Sequence, residues 1–207
     1  AVGTLGERVH LPIYSTRAIH DGIDRNYGVR EKLRTSQRYF EKGVEWELNG
    51  MKINTFGISH DSTECVGYVI DYLGQRFIIA TDCGEPNLTM EMYLSSANHV
   101  VIEANHDEQM LLNGPYPTYL KQRILSPKGH QSNFVCGQLL AKNWHTELRN
   151  VFLCHLSNEN NDPDVAINTI KDILLDEGIM PGEDLFLTAL ERTKPSTIYT
   201  LNENIIR

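Results

Sequence analysis

No two cysteines in this 207-residue chain are spaced CxxC, no segment is rich in Pro, Gly or Ser, and no apolar run nears the roughly 18 residues of a membrane-spanning helix. These absences exclude a zinc ribbon, a low-complexity tether and a helical membrane anchor, so no membrane partner is expected. Positive charge is scarce as well. With 19 Lys and Arg against 27 Asp and Glu, the net charge of −8 repels a polyanion overall, and any nucleic acid must be held locally. The chain opens Ala1-Val2-Gly3, without a Met, a basic leader or the apolar stretch of a signal peptide. What is present suits a globular protein: 41% hydrophobic, 22% charged and 8% aromatic residues. One domain is expected over residues 1–207, because single cores stop growing only above roughly 250–300 residues. Cys65, Cys83, Cys136 and Cys154 lie mostly in or beside apolar runs, as buried free thiols of a reducing, cytoplasmic compartment do.

Turn residues divide the chain into elements. A short strand is expected at Pro12–Ser15, followed by a polar stretch of helical turns and loop from Thr16 to Lys42. Strands follow at Val44–Leu48, Met51–Phe56, Cys65–Tyr72 and Gln75–Ala80, with Asn49-Gly50 and Leu73-Gly74 as tight hairpin turns. Beyond Asp82, helix and strand alternate: helices at Leu88–Ser95, Asp107–Leu112, Tyr119–Leu125 and Asn133–Thr146, with strands at His99–Glu103 and Val151–Cys154. Ser132 is placed to cap the Asn133 helix, whose apolar side would carry Phe134, Leu139, Leu140 and Trp144. A further helix starts at Asp162-Pro163, turns Ile167, Ile170 and Leu174 inward, and stops at Gly178. Strands near Leu185–Leu190 and Ile198–Leu201 complete an α/β layered sandwich.

Polar residues recur where apolar strands end. Phe56-Gly57-Ile58-Ser59-His60, Ile78-Ile79-Ala80-Thr81-Asp82 and Val151-Phe152-Leu153-Cys154-His155 each deliver a possible metal ligand from a rigid base. A core histidine or an Asx turn explains each of these singly; their repetition is what points to a metal site. Glu103 closes another buried strand ahead of Asn105-His106-Asp107, and Gly129-His130-Gln131-Ser132-Asn133 opens a helix. His130, if paired with a carboxylate, suits a general acid, and otherwise is an ordinary helix-entry residue. Lys121, Arg123 and Lys128 form the best local phosphate patch on an acidic protein.

The blocks Ser59–Ile70 (SHDSTECVGYVI), Thr81–Gly84, Ile102–Leu111 (IEANHDEQML), Gly129–Asn133 (GHQSN) and Leu153–Asn161 (LCHLSNENN) together resemble the YycJ (WalJ/VicX) group of metallo-β-lactamase-fold hydrolases. The resemblance runs in order along nearly the whole chain, and Leu190-Glu191-Arg192 with Ser196–Leu201 is similar to that group's C-terminus. It implies a four-layer αββα sandwich and a two-metal hydrolase, with Zn2+ or Mn2+ activating a hydroxide, that acts on nucleic acid as a 5′-to-3′ exonuclease, DNA more than RNA. Carried over, it assigns His60, Asp82 and His155 as metal ligands, with Asp82 bridging, and Glu103 with His130 as the pair that protonates the leaving oxygen. His106, Asp107, Ser132, Asn133, Lys121, Arg123, Lys128 and Arg192 are then expected to contact or support substrate.

One departure qualifies this. The HxHxDH motif, which supplies further His, His, Asp and His ligands in the fold, does not occur in the chain. By family comparison a span of about 60 N-terminal residues is absent, so the sandwich is expected to be N-terminally incomplete. On that reading these residues hold at most one divalent ion, weakly, and hydrolyse little alone, and a homo-oligomer or association with the missing segment would cover the open sheet. Two alternatives stay open: a metallo-hydrolase of small molecules, since one scaffold hosts many chemistries, and a non-catalytic interaction or regulatory module.

Overall fold

Two tight turns organise the first strands. In Asn49-Gly50 (φ 52° and 80°) and Leu73-Gly74 (φ 49° and 77°) both residues adopt the left-handed backbone that a type I′ hairpin requires. They join β3 (Trp46–Leu48) to β4 (Met51–Gly57) and β5 (Val66–Tyr72) to β6 (Gln75–Ala80), all antiparallel. Parallel strands β7 (His99–Glu103), β8 (Asn150–Cys154) and β9 (Phe186–Ala189) then extend the same sheet in the order β3-β4-β5-β6-β7-β8-β9. This arrangement comes from a computed structural model that describes residues 2–201; Ala1 and 202–207 lie outside it.

Alternation along the central strands buries one side chain in two against helices. Ile78 and Ala80 of β6, Val100 and Ile102 of β7, and Val151 and Leu153 of β8 join one core with α2 (Leu88–Leu94), α5 (Asn133–Lys142) and α6 (Pro163–Asp176). Met90, Leu94, Leu139, Leu140, Ile170 and Leu174 supply the helix side, each worth roughly 1.5–3 kcal/mol when fully buried. The helices start where their caps stand: Asn87 accepts from the Met90 N–H, Ser132 from Val135 and Asp162 from Asp164, with Pro163 in the first turn of α6. Short helices α3 (Glu108–Asn113) and α4 (Thr118–Ile124) lie between β7 and α5. No helix among the described residues is long and apolar enough to cross a membrane.

Three expectations need correction. The Asn133 helix ends at Lys142, where Asn143 bonds back to the Leu139 carbonyl, and Phe134 is 48% exposed because Cys136, Leu139 and Leu140 define the inner face. Residues Ile198–Leu201 form no strand; Tyr199 instead sets its ring 4.9 Å from Phe152 and 5.8 Å from Phe186, so ring packing holds the segment without a backbone ladder. The stretch from Thr16 to Lys42 holds α1 (Arg17–Arg25) and also a strand, β2 (Gln37–Tyr39), that pairs in parallel with β1 (Ile13–Ser15). Gln-Arg-Tyr has no apolar alternation, so nothing local announces this pairing.

A carboxylate clamps the N-terminal turn to that small sheet. Glu7, in the π-helical turn Thr4–Arg8, accepts from the Ser36 hydroxyl at 2.6 Å and from the backbone N–H groups of Arg34, Thr35 and Ser36. The Ser36 hydroxyl chiefly, then these N–H groups, hold the carboxyl down to about 2. A depressed carboxylate adds stability above its ordinary pKa of 4.5 and loses it as pH falls toward 2. The gap in denaturation midpoint between the parent and Glu7→Gln should therefore shrink across that acid window; a constant gap would contradict the clamp.

Candidate metal centre

β6, β7 and β8 run parallel, with Ala80 opposite Ile102 and Glu103 opposite Cys154, so the residues just past them emerge along one sheet edge. Carboxyl ends of parallel strands are where open α/β sheets present their sites. Asp82, Glu103 and His155 stand there, His60 arrives from the end of β4, and His130 arrives from the loop between α4 and α5. The three imidazoles form a row, His60 to His130 at 5.0 Å and His130 to His155 at 5.3 Å between ring centroids. Asp82 (φ 53°) and His155 (φ 56°) both hold left-handed backbone, uncommon for non-glycine residues and costing of order 1–3 kcal/mol each. The surrounding bonds must enforce that geometry.

Glu103 is the hub of those bonds. Its side chain is 0% exposed. Oε1 accepts from His130 Nδ1 at 2.7 Å and lies 3.1 Å from His155 Nδ1, while Oε2 accepts from the Cys83 N–H at 2.6 Å. Burial alone would raise its pKa, but the bonds from His130 and His155 outweigh burial and hold it below the ordinary value. The same contact raises the pKa of His155. With Nδ1 of both imidazoles turned to one carboxylate, Nε2 is the nitrogen each has left for the cleft.

The donor set fits a divalent cation. His60 turns Nδ1 to the Gly129 carbonyl at 3.1 Å, which frees Nε2, and that nitrogen lies 3.7 Å from Asp82 Oδ1. Two ligands of one tetrahedral ion at 2.0–2.1 Å stand about 3.4 Å apart, so this separation is that of a ligand pair rather than a hydrogen bond. Asp82 Oδ1 also lies 3.6 Å from His155 Nδ1, the nitrogen that already faces Glu103, so this contact places Asp82 beside the His155 ring without engaging its free Nε2. A carboxylate or carbonyl behind each imidazole is the usual support of a metal-ligating histidine. Ligand atoms cluster within 4.8 Å in two groups among the described residues, His60 with Asp82 and His130, and Glu103 with His130 and His155, the latter tied by the 2.7 Å hydrogen bond; His60, Asp82 and His155 do not form one such group. The thiols stay out of this set: burial pushes Cys65 up to about 11 and Cys154 to about 12, so neither is a thiolate near neutral pH.

Two glycines and a group of asparagines lock the loops. A Cβ on Gly84 would stand 2.3 Å from the Pro127 carbonyl oxygen, so the loops carrying Asp82 and His130 approach too closely there for any side chain, and one on Gly129 would stand 2.1 Å from the Ile124 carbonyl oxygen, where the chain folds back on the end of α4. Asn161 gives its amide to the Ala104 carbonyl and to Asn133 Oδ1, and takes bonds from Asn133 Nδ2 and the Asp162 N–H, at 2.8 to 3.0 Å. Asn105 Nδ2 donates to the His155 carbonyl at 2.9 Å. Asn105 and Asn161 had no assigned role in the sequence; their one signal is the density of Asn beside His106 and His155.

The expected substrate contacts divide. Arg123 and Arg192 line an open cleft of about 900 Å³ together with Tyr116, Asn158, His130 and His155. Arg123 is engaged by Asp61 at 2.5 and 2.9 Å, Arg192 by the Leu156 carbonyl, and Lys121 by the Leu112 carbonyl at 2.6 Å. Lys128 is exposed. His106 and Ser132 line a second, smaller cavity. Asn133 is buried, with Nδ2 donating to Asn161 and Oδ1 accepting from it, so it braces the loops beside the cavity. Asp107 caps α3 by accepting from the Met110 N–H at 2.9 Å.

No known family profile matches the chain. It is 30% identical over 203 residues to the exodeoxyribonuclease WalJ of Streptococcus pneumoniae, which spans 98% of this chain and 74% of that protein. The chain belongs to the YycJ/WalJ exodeoxyribonuclease family. Identity to exodeoxyribonuclease YycJ of Bacillus anthracis is 28% over 198 residues, 95% of this chain and 74% of that one. Among solved structures, the metallo-β-lactamase fold protein YhfI from Bacillus subtilis superposes with a TM-score of 0.62 at 12% identity, covering 91% of this chain and 67% of the other. Zn2+-bound PqqB from Methylobacterium extorquens gives 0.58 at 14%, with the same coverage. These two establish the metallo-β-lactamase fold, and the chain is a hydrolase of the YycJ/WalJ family.

Asn161→Leu should strip the amide bonds between the Asn133 and His155 loops. Each buried polar group left unpaired costs about 1–3 kcal/mol, a loss to be read from urea denaturation. An unchanged midpoint would show that the asparagines do not brace the centre.

Proposed function

We propose that this chain carries the machinery of a metal-dependent phosphodiesterase that removes nucleotides from DNA in the 5′-to-3′ direction, and that with only three ligand residues it turns over slowly by itself. The observation that carries the proposal is one dry carboxylate, Glu103, orienting two imidazoles beside a pair of donors spaced for a metal. The names of the relatives supply the substrate class. His60, Asp82 and His155 would hold the cation, and as nitrogen and oxygen donors they accommodate zinc or manganese. When bound, divalent ions supply Lewis acidity toward water and the phosphate oxygens.

The chain's own groups do the rest. Glu103 fixes the ring of His130 through Nδ1, which leaves Nε2 facing the cleft, and His130 then gives the Nε2 proton to the leaving oxygen. Arg123 and Arg192 border the cleft that receives the backbone, Arg123 held in place by Asp61. An acidic chain can hold a polyanion in this way, because the attractive charge is concentrated where the phosphate sits.

A labelled oligonucleotide in Mn2+ or Zn2+ tests the reading. His130→Ala should lower kcat by roughly 10²- to 10⁴-fold with little change in KM. Equal hydrolysis of a generic bis-phosphodiester would favour a small-molecule hydrolase instead. Metal content is a separate measurement: three donors predict one ion per chain at most, and Asp82→Asn should release it. Retention of that ion by the variant would remove Asp82 from the ligand set.

A further inference from the structure

His130 lines two cavities. One is the arginine-bordered cleft; the other, about 310 Å³, lies between the loop after β6 and the start of α5. The smaller one is a built site. His106 is 1% exposed and neither ring nitrogen has a partner, and Gln131, 2% exposed, leaves its Nε2 unpaired. Buried polar atoms without partners are rare in folded proteins, and each demands an explanation. Here two such side chains line the same cavity that His130 lines.

The chemistry of the walls selects the ligand. No Lys or Arg lines this cavity among the described residues, whereas Glu85 and Glu108 do, so a phosphate would meet like charge. Burial holds the His106 imidazole down to about 4, so near neutral pH it is uncharged and offers one donor and one acceptor. Gln131 adds a donor and Glu108 an acceptor, while Leu125 and Val135 supply apolar wall. Neutral donors and acceptors between apolar surfaces match the edge and faces of a nucleobase. The volume is at the low end of small-molecule sites, roughly 300–1,000 Å³, and suits a single nucleoside.

Building on the nuclease reading above, we propose that this cavity is the pocket for one nucleoside next to the scissile phosphate, with its base read by His106, Gln131 and Glu108. The phosphodiester then lies at His130, and the continuing backbone runs along the arginine side. A pocket for one nucleoside on one side of the reacting group and an open cleft on the other is an arrangement suited to removing end residues.

Deoxynucleosides, which carry no phosphate, test the pocket directly in the 207-residue chain by calorimetry and by chemical shifts of the His106 ring. Binding should occur, should shift those resonances, and should weaken about tenfold in His106→Phe, with partial recovery in His106→Gln. Leu125→Trp, a change at an exposed position on the rim, should weaken it as well without touching the buried groups. Absence of deoxynucleoside binding, or binding unaltered in all three variants, overturns the pocket, as does occupation by inorganic phosphate in its place. The nuclease reading fails separately, if an oligonucleotide with natural ends is not hydrolysed. If it is hydrolysed and an oligonucleotide with abasic ends is cut equally well, the nuclease stands and the base pocket falls.

Discussion

The Glu103 carboxylate is the constraint from which the rest of the site follows. It is removed from solvent and faces three donors, so it stays ionised only because His130, His155 and the Cys83 N–H surround it. An ionised carboxylate in a dry setting is costly unless paired, and removing one partner of such a cluster typically destabilises by about 3–5 kcal/mol. That cost ties three chain segments together: the loop after β6, the entry to α5 and the end of β8. Asp82 lies beside the first of these contacts and His155 makes another, which accounts for how both hold left-handed backbone.

The parallel strands convert this local chemistry into a site. Their register brings Asp82, Glu103 and His155 to the same edge, and the helix-covered face behind them supplies the rigidity. Loops without close packing could not hold a 3.7 Å pair of ligands at a fixed spacing. Gly84 and Gly129 permit close backbone approach, and the reciprocal amide bonds of Asn133 and Asn161 tie the loops together. The charge problem set by 27 acidic and 19 basic residues has a geometric answer: the arginines at the cleft stand beside the histidine row rather than across the surface.

Much of the scaffold could be read from local signals. Asn49-Gly50 marked a hairpin because Asn and Gly readily accept left-handed backbone, Leu73-Gly74 did so through its Gly while Leu73 is carried to φ 49° by the strand pairing, and Asp162-Pro163 marked a helix start because Pro is tolerated in a first turn. β2 and the course of the chain past Ala189 could not be read this way. β2 exists because β1 offers it a parallel edge, and residues 198–201 follow Phe152 and Phe186 rather than a strand partner. Each depends on a neighbour distant in the chain, which propensity does not record.

The sequence by itself determined which residue types end the strands, that the chain is acidic, and which family its motifs resemble. Tertiary structure decided which of them meet. It drew His60, His130 and His155 into one row, bonded Asn133 to Asn161 and Asp107 to the start of α3, and left His106 and Gln131 buried with unpaired nitrogens. The physical reason is that a side chain's chemistry is set by its dry neighbours. Strand register and loop packing choose those neighbours, and both are long-range.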